Sequence, residues 1–80
     1  MKAKIFVTLK KGVLDPQGSA IKNSLANLGV NSINSVSQGK YFEIDLDEQD
    51  QKKAARIIEE SCNKLLANTV IENFKYELIS

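Results

Sequence analysis

Apolar and polar residues alternate at the start of the chain, with Ala3, Ile5, Val7 and Leu9 on one parity and Lys2, Lys4, Phe6, Thr8 and Lys10 on the other. A period of two predicts a strand with one apolar and one mostly polar face. From Pro16 to Leu28 the period lengthens: Ile21, Leu25 and Leu28 fall at helical spacing, with Ala20 beside them. Asp15 suits the N-cap, because its carboxylate can accept from the first free backbone N–H groups. Pro16 suits the first helical position, where no N–H is needed, and Gly29 the residue just past the helix end. A weakly patterned run over Ser32–Gln38 and a stronger one over Lys40–Leu46 predict two strands, and Gly39 between them predicts a hairpin turn. Asp47 and Asp50 resemble a capping box. Beyond them Ala54, Ile57, Ile58, Ser61, Cys62, Leu65 and Leu66 repeat at three- and four-residue steps, the opposite side being charged, so a second amphipathic helix is expected, with Asn68 able to end it. Val70–Ile79 predicts the last strand, with Phe74, Tyr76 and Leu78 on one face.

The order β-α-β-β-α-β predicts a single α+β domain over residues 1–80, an antiparallel sheet with two helices on one face, a sandwich of ferredoxin-like type. The other sheet face, carrying Phe6, Thr8 and Tyr41, would stay open, as would two edges. That predicts a homodimer at least, formed through the sheet by face or by edge.

Size strengthens this expectation. A chain of 80 residues buries only about 60–65% of its unfolded surface, so its core is thin and a second copy would supplement it. No apolar stretch of about 20 residues is present, which leaves out a helical membrane span, and the N-terminus lacks a signal-peptide pattern. With one cysteine there is no disulfide framework, and a cytoplasmic location is the simplest expectation. The net charge of +1 hides an asymmetry: residues 1–40 hold six lysines and one acid, whereas residues 41–80 hold five basic and nine acidic residues. Such a division can steer association with a charged partner, or simply mark two solvated faces.

Candidate chemistry is sparse. The chain has no histidine, hence neither the commonest general base nor the commonest metal ligand. Cys62 alone makes neither a Cys-His nucleophile nor a zinc site and reads as a small core hydrophobe. The acidic run Glu43, Asp45, Asp47, Glu48 and Asp50 specifies hard-cation geometry only weakly, so no metal or cofactor is expected on this chain. Gly12 and Gly18 lack the ending of a phosphate loop, and Asp15 already places negative charge where an anion would bind. Gly39-Lys40-Tyr41-Phe42-Glu43-Ile44 is an incomplete version of an RNA-recognition strand, and a pI near 7.8 argues against a dominant phosphate-binding surface. No nucleic-acid partner is expected.

What stands out is Lys10-Lys11-Gly12-Val13-Leu14-Asp15-Pro16-Gln17-Gly18 between the first strand and first helix. A strand-to-helix turn does not need Lys10, Lys11, Val13, Leu14 and Gly18 together, and helix propensity does not ask for glycine in a first turn. Selection by a partner protein is therefore expected at Lys10, Lys11 and Gly18. Lys40 beside Gly39 belongs to the same surface. Val13 and Leu14 could anchor that partner or fold back as a hydrophobic staple.

The string Val13-Leu14-Asp15-Pro16-Gln17-Gly18, with Val7-Thr8-Leu9-Lys10 before it, Leu25-Ala26-Asn27-Leu28-Gly29 closing the helix and Val36 to Gly39-Lys40 beyond, resembles the PurS-type small subunit of phosphoribosylformylglycinamidine synthase. Val30 stands where that family usually has an aromatic residue, and Ser37 where it often has a basic one. The resemblance implies a subunit of a carbon–nitrogen ligase complex of purine biosynthesis, which converts formylglycinamide ribonucleotide to the amidine with ATP and glutamine. It implies that ATP and Mg are used by a large synthetase subunit and that ammonia is released by a glutaminase subunit. The small subunit would have no catalytic site, form a homodimer or higher oligomer, bridge the other two and could help ammonia transfer. A second expectation, from topology and the Leu28–Ile33 stretch, is an amino-acid regulatory domain of the ACT kind.

Overall fold

Strand β1 (Lys2–Leu9) takes the centre of the sheet because its two edges pair with the two other strands in the chain. A computed structural model describes all residues 1–80. Antiparallel partners flank β1: β2 (Lys40–Asp45), in register Ala3↔Ile44 and Ile5↔Phe42, and β3 (Glu72–Ile79), in register Ile5↔Tyr76 and Val7↔Phe74. The order is β2-β1-β3. Reciprocal bonds between Met1 and Leu46 continue the β1–β2 ladder by one step. Because opposed residues share a face, Ala3, Ile5 and Val7 lie among Phe42, Ile44, Phe74, Tyr76 and Leu78, as the alternation requires.

Helix α2 (Gln51–Ser61) covers this face. Ala54, Ile58 and Cys62 are completely buried, with Ala67 behind them. Asp50 caps the helix by accepting from the Lys52 N–H at 2.9 Å, so the cap lies at Asp50 alone and not at an Asp47–Asp50 box. The last turn widens into a π-helical segment, Cys62–Leu66, closed by the Ala67 N–H on the Cys62 carbonyl. No helix is long and apolar enough to cross a membrane.

The other half of the chain departs from expectation. Helix α1 (Pro16–Asn27) has the foreseen ends, with Asp15 at its N-cap and Gly29 at φ +93° beyond Leu28. Yet it does not lie on the sheet: Gly18 is its only buried residue. Residues 30–39 form no strand and pass without turn or bend. The hairpin about Gly39 is therefore absent and the sheet has three strands, not four. Within one chain a single helix, α2, covers the sheet face. Residues 31–37 make no hydrogen bond through their backbone, and the first beyond them is the Gln38 N–H. A local hairpin would have satisfied those groups, but the straight run holds them away from every strand of its own chain.

The outcome is an elongated body of 49 × 25 × 15 Å with a radius of gyration of 16.1 Å, against about 12 Å for a compact chain of this length.

Candidate functional site

Loop 10–15 turns back at once after β1. The Lys10 N–H donates to the Ile71 carbonyl at 2.8 Å, and the Val13 N–H donates to Lys10 at 3.1 Å across Gly12, whose φ is +88°. Asp15 then does two things. One carboxylate oxygen accepts from the Gly18 N–H and the other from the Gln38 N–H, each at 2.8 Å. It thus caps α1 and ties the chain entering β2 to the loop leaving β1. The Gln38 bond, then the Gly18 bond, holds the Asp15 carboxyl below its ordinary value.

The sign of the linkage follows. A carboxyl lowered in the folded state contributes stability above its unfolded pKa and loses it as pH falls through the folded one. Asp15→Asn, whose amide offers one accepting oxygen instead of two, should therefore have a shallower acid-unfolding limb below about pH 4. Circular dichroism of the two proteins across pH 2–6 checks this, and identical limbs would remove Asp15 from the acid transition.

The clasp closes one side of a cleft of about 390 Å³ lined by Leu9, Val13–Gln17, Gln38–Lys40, Ile71 and Glu72. Lys40 Nζ stands 3.5 Å from a Glu72 carboxylate oxygen at its wall. The other Glu72 oxygen accepts from the Asn68 N–H at 2.6 Å, which holds that carboxylate in place. Leu9, Val13 and Ile71 add apolar lining to the same cleft. Leu14 is 79% exposed and Val13 is half-buried. A staple would pair Leu14 with the fourth helical residue, which is Ser19, so no staple forms.

The cleft therefore unites Val13, Leu14, Asp15, Pro16 and Gln17 with Gly39 and Lys40. Lys10, Lys11, Gly12 and Gly18 lie outside its lining. Gly18 also has a reason within the chain: a Cβ there would overlap the Val36 carbonyl oxygen. At Gly39 a Cβ would meet the Val7 carbonyl at 2.5 Å, so this glycine serves close approach to the end of β1 instead of a turn. The expectation that an outside partner accounts for Gly18 gives way to this packing requirement. Leu9, Gln38, Ile71 and Glu72 were not singled out from the sequence. Ile71 and Glu72 come beside Leu9 only through the β1–β3 register, and no local motif marks it.

No group here is set up for covalent chemistry. The cleft holds no thiol, and burial, then Glu59, pushes the Cys62 thiol above its ordinary pKa, away from the reactive thiolate. The arrangement suits recognition: an exposed apolar side chain, a pinned loop and a charge pair at a concave surface.

Several known proteins are similar to this chain over nearly its whole length. The family model for PurS, described as phosphoribosylformylglycinamidine (FGAM) synthase, matches residues 2–80. The phosphoribosylformylglycinamidine synthase subunit PurS of Bacillus subtilis is 44% identical over 77 residues, which span 96% of this chain and 90% of the relative. That of Archaeoglobus fulgidus is 42% identical over 79 residues, spanning 99% and 96%. The solved B. subtilis PurS structure superposes with a TM-score of 0.89 at 43% identity, covering 99% of this chain and 98% of that one. A chain in the structure of PurLQS from Thermotoga maritima superposes at 0.87 with 26% identity, covering 98% and 95%.

Proposed function

Because this chain belongs to the PurS family of phosphoribosylformylglycinamidine synthase subunits, we propose that it docks the other subunits of that ligase complex through the cleft between loop 10–15 and the start of β2. It is a subunit of an enzyme of purine biosynthesis and associates with itself and with the other subunits. Its contribution is assembly: it bridges the large synthetase subunit, which uses ATP and Mg, and the glutaminase subunit, which supplies ammonia, in the cytoplasm. The amino-acid regulatory reading, which rests on topology and the Leu28–Ile33 stretch, is set aside by the family match.

One observation carries the docking role: Leu14 projects into solvent beside an otherwise well-tied cleft. An exposed leucine on a pinned loop loses little freedom on binding and buries its whole side chain, the profile of an interface anchor. Lys10, Lys11 and Lys40 add positive charge around it, which orients an acidic partner surface more than it tightens binding. Gly12, Asp15, Pro16, Gln17, Gly18 and Gly39 act by holding the loop and the strand entry in shape.

Leu14→Asp should leave self-association intact and weaken three-subunit assembly by about 30-fold or more, about 2 kcal/mol, as for an interface anchor. Size-exclusion chromatography and glutamine-dependent amidine formation from the purified subunits check it. Equal activity with and without this chain would overturn the assembly role, and unchanged assembly of the variant would move the docking surface elsewhere.

A further inference from the structure

The turn at 68–71 leads from the α2 layer into β3, and its central positions hold Thr69 and Val70. Such positions ordinarily favour Asn, Asp, Ser and Gly, whose side chains bond locally or free the backbone. Two β-branched residues serve the turn poorly, and Val70 does not serve the core, being 81% exposed. Yet the backbone beneath it is firmly held. The Ile71 and Glu72 N–H groups both donate to the Asn68 carbonyl, at 3.0 and 2.7 Å, and the Val70 N–H donates to the Asn68 side chain at 3.2 Å. In return the Glu72 carboxylate accepts from the Asn68 N–H at 2.6 Å.

The same frame carries Leu14. The Lys10 N–H donates to the Ile71 carbonyl, which fastens loop 10–15 to the turn. Ile71 and Glu72 line the cleft together with Leu14. Lys40 beside Glu72, and the Gln38 N–H on Asp15, bring in the start of β2. A single exposed aliphatic residue would need no explanation. Here two of them stand on hydrogen-bonded backbone at the same end of the sheet, where Leu9 pairs with Glu72. Lys10 and Lys11 lie in the loop between them and form no ion pair with an acid of this chain.

We infer that Val70 is a second docking anchor, received by the same partner subunit as Leu14, an inference that rests on the docking role proposed for the cleft. The partner surface is specified by its complement: two apolar recesses, one for a leucine and one for a valine, with carboxylates placed for Lys10 and Lys11. Each anchor gains by leaving water, and the charges set orientation. Two anchors on one frame also fix register, because a single leucine leaves the partner free to turn about it. The ordering cost is small, since the loop and the turn are already in place before binding.

The test compares positions 14 and 70 in the complex assembled from all the purified subunits. A benzophenone amino acid is placed at each position in turn, activated by light, and the crosslinked subunit identified by mass spectrometry. Both positions are expected to capture the same subunit. Capture from position 70 of a different subunit, of a second copy of this chain, or of nothing while position 14 reacts, overturns the second anchor and leaves the cleft reading standing. Capture of nothing from either position, with assembly intact, overturns both. Val70→Ser gives the energetic counterpart. Serine suits the turn, so this variant should melt at the parent's temperature and self-associate as tightly, yet weaken assembly about tenfold, as loss of an interface side chain does. A valine needed only for the fold would give the reverse, a lowered melting temperature with assembly unchanged, and that result overturns the proposal. Val70→Asp, opposed by the partner's carboxylates, should weaken assembly further than Val70→Ser. Should the aspartate variant fail to fold, the serine variant and the crosslinks decide.

Discussion

Ile58→Ala should remove about 3–4 kcal/mol of stability, the loss typical of emptying a fully buried aliphatic site. Ile58 is completely buried where α2 meets Ala3, Ile5 and Val7. Its neighbours cannot collapse onto the gap easily: all three lie on β1 and are fixed by β-ladders on both sides. The fraction of total stability is what makes the effect large. A domain of this length has only about 4–12 kcal/mol, and nine of its 80 residues are buried. Urea unfolding should therefore show a midpoint reduced by about a quarter or more, at a protein concentration held constant because self-association adds to apparent stability. Ile57→Ala, one residue away and 44% exposed, is the control and should cost under about 1 kcal/mol by the area it buries. Equal losses at the two positions would mean that the helix presents a different face to the sheet.

Gly18→Val is the second large effect, with an expected loss of about 2–3 kcal/mol. Helix propensity argues the other way, since replacing glycine in a helix ordinarily relieves a backbone entropy cost of up to about 1 kcal/mol. Here the added carbon would overlap the Val36 carbonyl oxygen and come within 2.9 Å of the Asp15 carboxylate. A backbone oxygen cannot swing aside as a flexible side chain can, so the clash outweighs the propensity gain. The expected consequence is local: α1 separates from the 30–38 run, the Asp15–Gln38 bond is lost, and the cleft loses one wall. Calorimetric unfolding together with amide exchange at Gln38 checks both parts. A variant as stable as the parent, with Gln38 still protected, would show that Gly18 is not held by this contact and would return it to the surface selected by a partner.

These two residues also show what could be read in advance. Ile58 is legible from period alone, because Ala54, Ile58 and Cys62 stand on one helical face and the alternation in β1 supplies the surface they need. Gly18 is conspicuous in the sequence but its reason is not, since the oxygen it must accommodate belongs to a residue 18 positions later. The same holds for the cleft. Val13–Gln17 announce themselves as a loop with more specification than a turn needs. Ile71 and Glu72 are ordinary residues that matter only because the β1–β3 register sets them beside Leu9. The strand expected over Ser32–Gln38 has a different explanation. Its composition suits a strand, but strand pairing is a property of two segments, and the run continues into β2 without turning back onto the edge of its own sheet.

Local chemistry alone thus determined the ends of α1, the buried stripe of α2 and the apolar face of β1, because caps and periods are local. The Asp15 clasp joining residues 23 apart, the packing need for Gly18, the Lys40–Glu72 wall and the detachment of α1 from the sheet were decided by tertiary structure. Each depends on which distant backbone atoms approach one another, and chain path alone sets those distances.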